Sequence, residues 1–148
     1  MWGTTRNVGR AQDLRNLGIE PLIADWTDRR TLSGLPKVDQ LLIAVSHDPR
    51  SGVDRFVGQV GGLGHLLDCV PEETSICYIS TTGVYHQTDG QWVDETSPTR
   101  PDRPGAVAHL AGEALLRRRR PEGNWSILRL AGIYGPVRVP RLAAVRAG

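Results

Sequence analysis

From Gln40 to Val45 the chain reads Gln-Leu-Leu-Ile-Ala-Val, an almost unbroken apolar run. Strands that are apolar on both faces belong to parallel sheets covered by helices, whereas a half-solvated strand alternates. A second run of this kind, Ile76 to Ile79, follows a segment from Val53 to Val70. In that segment Leu63, Leu66, Leu67 and Val70 recur at helical spacing. Strand, helix, strand is the unit of a parallel sheet, because parallel neighbours need a long crossover. The rest of the chain keeps the alternation. Residues 2–5 read as the end of a strand, and Ala11 to Leu17 as a short helix closed by Gly18. Pro21 to Ala24 reads as a strand ending at Asp25, and Asp28 to Leu32 as a helical turn. Residues 86–104 form a polar, proline-rich loop. Pro104 to Arg120 contains a helix, and Ser126 to Leu130 is a strand. The expectation is one α/β domain over residues 1–148.

Composition narrows the function. With 39% apolar and 23% charged residues the chain has enough to bury a core. A net charge of +2 asks for no polyanion. The one basic cluster, Arg117 to Arg120 before Pro121, reads as a helix C-terminus, where cations complement the dipole. No aromatic or second basic stripe accompanies it, so no nucleic-acid partner is expected. No apolar run approaches the ~20 residues that cross a membrane, so none is expected there either. Met1 to Arg6 holds no apolar leader core. Cys69 and Cys77 sit in apolar contexts and read as buried free thiols, which fits a cytoplasmic location. His47-Asp48 supplies too few ligands for a metal and reads as a loop cap.

The chemistry gathers at one strand end. Tyr78-Ile79-Ser80-Thr81-Thr82-Gly83-Val84-Tyr85 is a strand that runs into three hydroxyls and a glycine turn. In open α/β sheets ligands bind beyond the carboxyl ends of the strands, and hydroxyls there can grip a carbonyl or carbinol oxygen. They can equally satisfy backbone groups at the strand end. A second stretch, Leu128-Arg129-Leu130-Ala131-Gly132-Ile133-Tyr134-Gly135-Pro136, ends another strand the same way. Together the two resemble the extended short-chain dehydrogenase/reductase family, the NAD-dependent epimerases and dehydratases. That family carries S-[ST]-x-x-V-Y-G and L-R-x-x-x-x-Y-G-P at these places.

The resemblance implies a Rossmann-type parallel sheet with helices on both faces, and a role for several residues. Thr81 takes the position of the catalytic Ser/Thr that hydrogen-bonds the reacting oxygen, with Tyr85 beside it. Ser80, Ala44, Val45, Ser46, Leu130, Ala131, Gly132 and Ile133 would flank the cofactor. Arg6 follows the strand where the adenosine ribose is read, and an arginine there can pair with a 2′-phosphate, which favours NADP over NAD. Asp25 would meet the adenine amino group, or cap the turn that follows it. The substrate would be a small carbonyl or carbinol compound, such as a nucleotide sugar.

Two departures limit that picture. The family's acid/base pair, Y-x-x-x-K, is absent. Four residues after Tyr78, Tyr85 and Tyr134 stand Thr82, Asp89 and Arg138, and the only lysine is Lys37. Aligned on Glu113, the helix puts Gly105 at the tyrosine position and His109 at the lysine position. His109 is then a replacement acid/base group or a helix-surface residue. The first strand and glycine-rich turn of the family also find no counterpart. Gly58, Gly61, Gly62 and Gly64 lie inside a helix and read as close-packing positions. The chain thus reads as a partial NAD(P)-binding domain, the middle half of such a protein. Either the strands near residues 2–5 and 40–45 pair directly, or each keeps an open edge that invites self-association. Weak or absent catalysis is expected, with a non-catalytic NADP(H)-binding sensor or scaffold as the alternative.

Overall fold

The computed structural model describes residues 1–87, 89–135 and 146; Pro136 and Arg138 lie outside them. Five strands alternate with helices: β1 (Trp2–Thr5), α1 (Ala11–Asn16), β2 (Glu20–Ile23), β3 (Gln40–Ile43), α2 (Gly62–Cys69), β4 (Ser75–Thr81), α3 (Pro104–Arg119) and β5 (Trp125–Leu130). All pairings between these strands are parallel, and they form two sheets, β1-β2 and β3-β4-β5. The alternation read from the sequence is therefore the fold. α1 packs against β2, and α3 packs against both β4 and α2.

The core lies between β3-β4-β5 and the pair α2 and α3. Ile43, Leu63, Leu66, Leu67, Val70, Ile76, Tyr78 and Leu116 make one buried cluster. Alternation along β4 explains the choice. Ile76, Tyr78 and Ser80 are buried toward the helices, while Ser75, Cys77, Ile79 and Thr81 are half-buried on the other face. That other face also carries exposed Leu42, Leu128 and Leu130.

Close approach decides two glycines. A Cβ at Gly62 would sit 2.8 Å from the Trp26 indole, and one at Gly112 would sit 2.6 Å from the Tyr78 hydroxyl. The expected continuous helix before residue 70 is interrupted: Val57–Gly61 is a π-helical turn leading into α2. Such single-turn π segments gather at functional sites.

The arginine cluster after α3 is absorbed by the fold. Arg117 pairs with Glu113 and lies over Trp125, Arg119 pairs with Asp68, and buried Arg120 donates to the carbonyls of Leu67 and Val70. These contacts serve helix ends.

Between the two sheets lies a cavity of about 710 Å³. Met1 O accepts from Glu20 N, and Thr5 O accepts from Ala24 N, so the odd-numbered residues of β1 bond to β2. Asp39 O accepts from Ser75 N, which turns Leu41 and Ile43 toward β4. By alternation the backbone groups of Trp2, Thr4, Gln40 and Leu42 face away from their sheets. All four line the cavity, with apolar Leu22, Leu35, Val70 and Ile76. Among the described residues β1 and β3 do not pair; each keeps an open edge.

Candidate functional site

Polar side chains gather in two places. The first is at the carboxyl ends of β1, β2 and β3. Thr5 and Arg6, Asp25, and Val45 to Asp48 leave the sheets there and, with Trp26, Thr27, Gly58 and Gln59, wall a cleft of about 290 Å³. Arg6 spans it. Its Nη2 donates to Asp48 Oδ2 at 2.7 Å, and its Nη1 lies 3.8 Å from Asp25 Oδ2. Asp48 also caps the turn Pro49–Ser51, its Oδ1 accepting from Arg50 N at 3.0 Å. The hydrogen bond from the Arg50 backbone, then that from Arg6, holds the Asp48 carboxyl below the usual aspartate range. Asp25 Oδ1 accepts from the Thr27 backbone at 2.9 Å and its hydroxyl at 2.7 Å. Its Oδ2 stays turned toward Arg6.

Gln59 was not anticipated. It sits in the π turn, lines the cleft and is 1% exposed; its side-chain amide lies beside the buried Tyr78 hydroxyl, without a well-aligned acceptor for Nε2 among the described residues. Buried donors of this kind are rare and mark strain or a ligand contact. It is the only polar side chain between Phe56 and His65, which was a readable signal.

The second place is the junction of β4, α3 and β5. Glu113 on α3 is fully buried and accepts from Ser80 Oγ at 2.7 Å, from Arg129 Nε at 3.0 Å and Nη2 at 2.7 Å, and from Arg117 Nη1 at 3.3 Å. Burial alone raises its pKa, but Arg129, Ser80 and Arg117 together outweigh it and leave it below the usual glutamate range. Arg129 Nη1 donates to Tyr85 Oη at 2.9 Å, and its guanidinium lies 5.0 Å from the Tyr85 ring centre. The bidentate bond to Glu113 holds that guanidinium in one plane.

The structure thus brings Arg6, Asp25, Val45 and Ser46 together in one cleft and leaves the other expected residues elsewhere. Ala44 is exposed just before the cleft wall. Ser80, expected at the cofactor, faces α3 instead, because it shares the buried side of β4 with Ile76 and Tyr78. Leu130, Ala131, Gly132 and Ile133 are exposed beyond β5, two strands away from β3. Thr81 ends β4 on the opposite side from Ser80, its Oγ1 accepting from Gly83 N at 3.1 Å. Its hydroxyl proton is not used in that bond. His109 is half-buried rather than a surface residue. Its Nδ1 lies 3.4 Å from the buried Tyr78 hydroxyl. Burial pushes the His109 pKa down, against Glu113, and pushes the Tyr78 pKa up. The imidazole is therefore neutral at pH 7.

Comparison with known proteins adds to this geometry. The model of the NAD dependent epimerase/dehydratase family matches residues 2–145. No curated protein matches the chain. A conserved protein of unknown function from Silicibacter pomeroyi is 32% identical, with a TM-score of 0.63 over 93% of this chain and 46% of that one. A short-chain dehydrogenase/reductase superfamily protein from Agrobacterium tumefaciens, solved with bound NAD, is 25% identical. Its TM-score is 0.63 over 86% of this chain and 48% of that one. A UDP-glucuronic acid 4-epimerase from Bacillus cereus, solved with NAD, is 21% identical and has a TM-score of 0.67 over 90% of this chain and 47% of that one. The chain spans about half the length of these structures.

Proposed function

Because the chain belongs to the NAD dependent epimerase/dehydratase family, we propose that its cleft takes the adenosine half of a nicotinamide adenine dinucleotide. One observation carries this reading: Arg6, Asp25 and Ser46, from three successive strand ends, line a single cleft. Ligands of open α/β sheets bind at that end. The donor set suits the ligand. Asp25 Oδ2 can accept from an amino group or ribose hydroxyl, and Ser46 can donate or accept.

When bound, the dinucleotide supplies hydride exchange with a carbon of the substrate. The chain's own part is to hold the reacting oxygen. Thr81 Oγ1 accepts from Gly83 and keeps its proton to donate. Tyr85 Oη accepts from Arg129 and likewise keeps its proton. A carbonyl or carbinol oxygen of a small molecule, such as the sugar of a nucleotide sugar, is the group the Thr81 hydroxyl suits; Tyr85 stands with Arg129 on the Ser80 side of β4. Turnover is weak, because no Y-x-x-x-K pair exists and His109 lies against Tyr78. The same observation supports a second reading, a nucleotide-binding module without turnover.

One assay separates the readings. Nicotinamide absorbance is followed with NAD(H) and NADP(H) against a panel of nucleotide sugars and small carbonyls. Turnover that Thr81→Ala reduces supports the enzyme. Saturable binding without turnover supports the sensor. Absence of dinucleotide binding at millimolar concentration sinks both.

A further inference from the structure

Arg6 follows the strand end at which a 2′-phosphate is met, yet in the structure its guanidinium is already engaged. Asp48 Oδ2 accepts from it at 2.7 Å, and Asp25 Oδ2 stands 3.8 Å away on its other side. The three side chains carry one positive and two negative charges, so together they are net negative. Asp48 cannot easily turn aside. Its other carboxylate oxygen caps the turn through Arg50 N, and its backbone carbonyl accepts from Ser51 N at 3.1 Å and Ser51 Oγ at 2.8 Å. A dianionic phosphate entering here must break the Arg6–Asp48 pair and then lie beside two carboxylates. A ribose with a free 2′-hydroxyl meets neither penalty and can donate to Asp25.

We propose that Asp48 is a specificity-determining residue: by holding Arg6 it sets the cleft against a 2′-phosphate, so the chain takes NAD in preference to NADP. This rests on the reading of the cleft given above, and it reverses the preference that Arg6 alone implies. The pair is half-exposed, with side-chain exposures of 48% and 40%, so its effect is moderate and salt-dependent.

The test uses the full chain and two probes that differ only at the 2′ position, 5′-AMP and adenosine 2′,5′-diphosphate. Affinities are read from NMR amide shifts at fixed ionic strength. The unmodified chain should bind 5′-AMP at least as tightly as the diphosphate. Asp48→Asn keeps the capping oxygen and frees Arg6. It should improve diphosphate affinity roughly fivefold, the upper end of what one solvent-exposed ion pair is worth. The 5′-AMP affinity should change less than about twofold, and adding Arg6→Ala should abolish the gain. If the asparagine variant fails to fold, Asp48→Ser retains a capping oxygen and makes the same comparison. A wild-type preference for the diphosphate, or equal gains for both probes, overturns the role of Asp48 and leaves the cleft intact. No binding of either probe overturns the cleft itself, and the proposal with it.

Discussion

Glu113 shows how much a single residue organises here. The sequence marks it only as a helix glutamate, and its partners Ser80 and Arg129 lie 33 and 16 residues away. Such contacts are set by tertiary packing and leave no local trace. The period-2 alternation of β4 did carry one part of the answer. It puts Ser80 with Ile76 and Tyr78 and separates it from Thr81, so Ser80 could have been assigned to the helix side. Because the folded Glu113 pKa is depressed, its contribution to stability is present above the ordinary glutamate value, ~4.3. It is lost as pH falls through the folded value. Glu113→Gln leaves Arg129 buried without its counter-charge and should cost about 3 kcal/mol at pH 7. It should also flatten the fall in stability below the usual glutamate range. Urea denaturation at pH 7 and pH 4 checks both; an unchanged midpoint at pH 7 would show that the ion pair contributes nothing. At Thr81 the expectation is chemical. If Thr81 has the proposed role on the reacting oxygen, Thr81→Ala should lower turnover roughly tenfold or more with little change in cofactor affinity. An equal loss in cofactor affinity would place it in the cofactor site instead. His109→Ala should leave the pH dependence of turnover between pH 6 and 8 unchanged, because the neutral imidazole lies against Tyr78. A lost ionisation in that range would restore it as the acid/base group.

Element by element, the sequence was most readable where apolar spacing is strong. The strands around Leu41, Ile76 and Ile127 and the helix after Pro104 stand where their patterns put them, within one or two residues at most ends. The helix ending at Cys69 was readable in its last turns only. Its start is a π turn, and nothing in the spacing of Val57, Gly58 and Gln59 distinguishes i→i+5 from i→i+4 bonding. The turn serves to bring buried Gln59 to the cleft wall. Of the four glycines read as close-packing positions only Gly62 meets a neighbour at less than ordinary contact distance, and Gly112 carried no such reading. Gly112 lets α3 approach β4 until Tyr78 fills the space, so Gly112→Ala should cost about 1–3 kcal/mol despite the better helix propensity of alanine. Thermal melting of this variant against an exposed control such as Val107→Ala measures it. A gain in melting temperature would mean that the two elements are not in contact.

At the scale of the whole molecule, the two alternatives for β1 and β3 resolve in favour of open edges: the sheets stay separate, with a cavity of about 710 Å³ between them. The apolar lining and the outward backbone groups of Trp2, Thr4, Gln40 and Leu42 leave an edge here that can recruit a partner strand. The chain should self-associate in a concentration-dependent way, seen by light scattering. A concentration-independent monomer with a cooperative melt would mean that β1 and β3 close on each other in solution. Strand order made the choice between direct pairing and open edges legible but not its outcome, and the cleft likewise needed coordinates to show which strand ends share it. The central claim is that this cleft, and not the ends of β4 and β5, holds the adenosine half of the cofactor. Titrating NADH into the isotope-labelled chain and mapping the amide shifts tests it most directly. Saturable shifts should fall on Arg6, Asp25, Val45, Ser46 and Gln59. No saturable shift, or shifts confined to Leu130 through Ile133, would contradict the account.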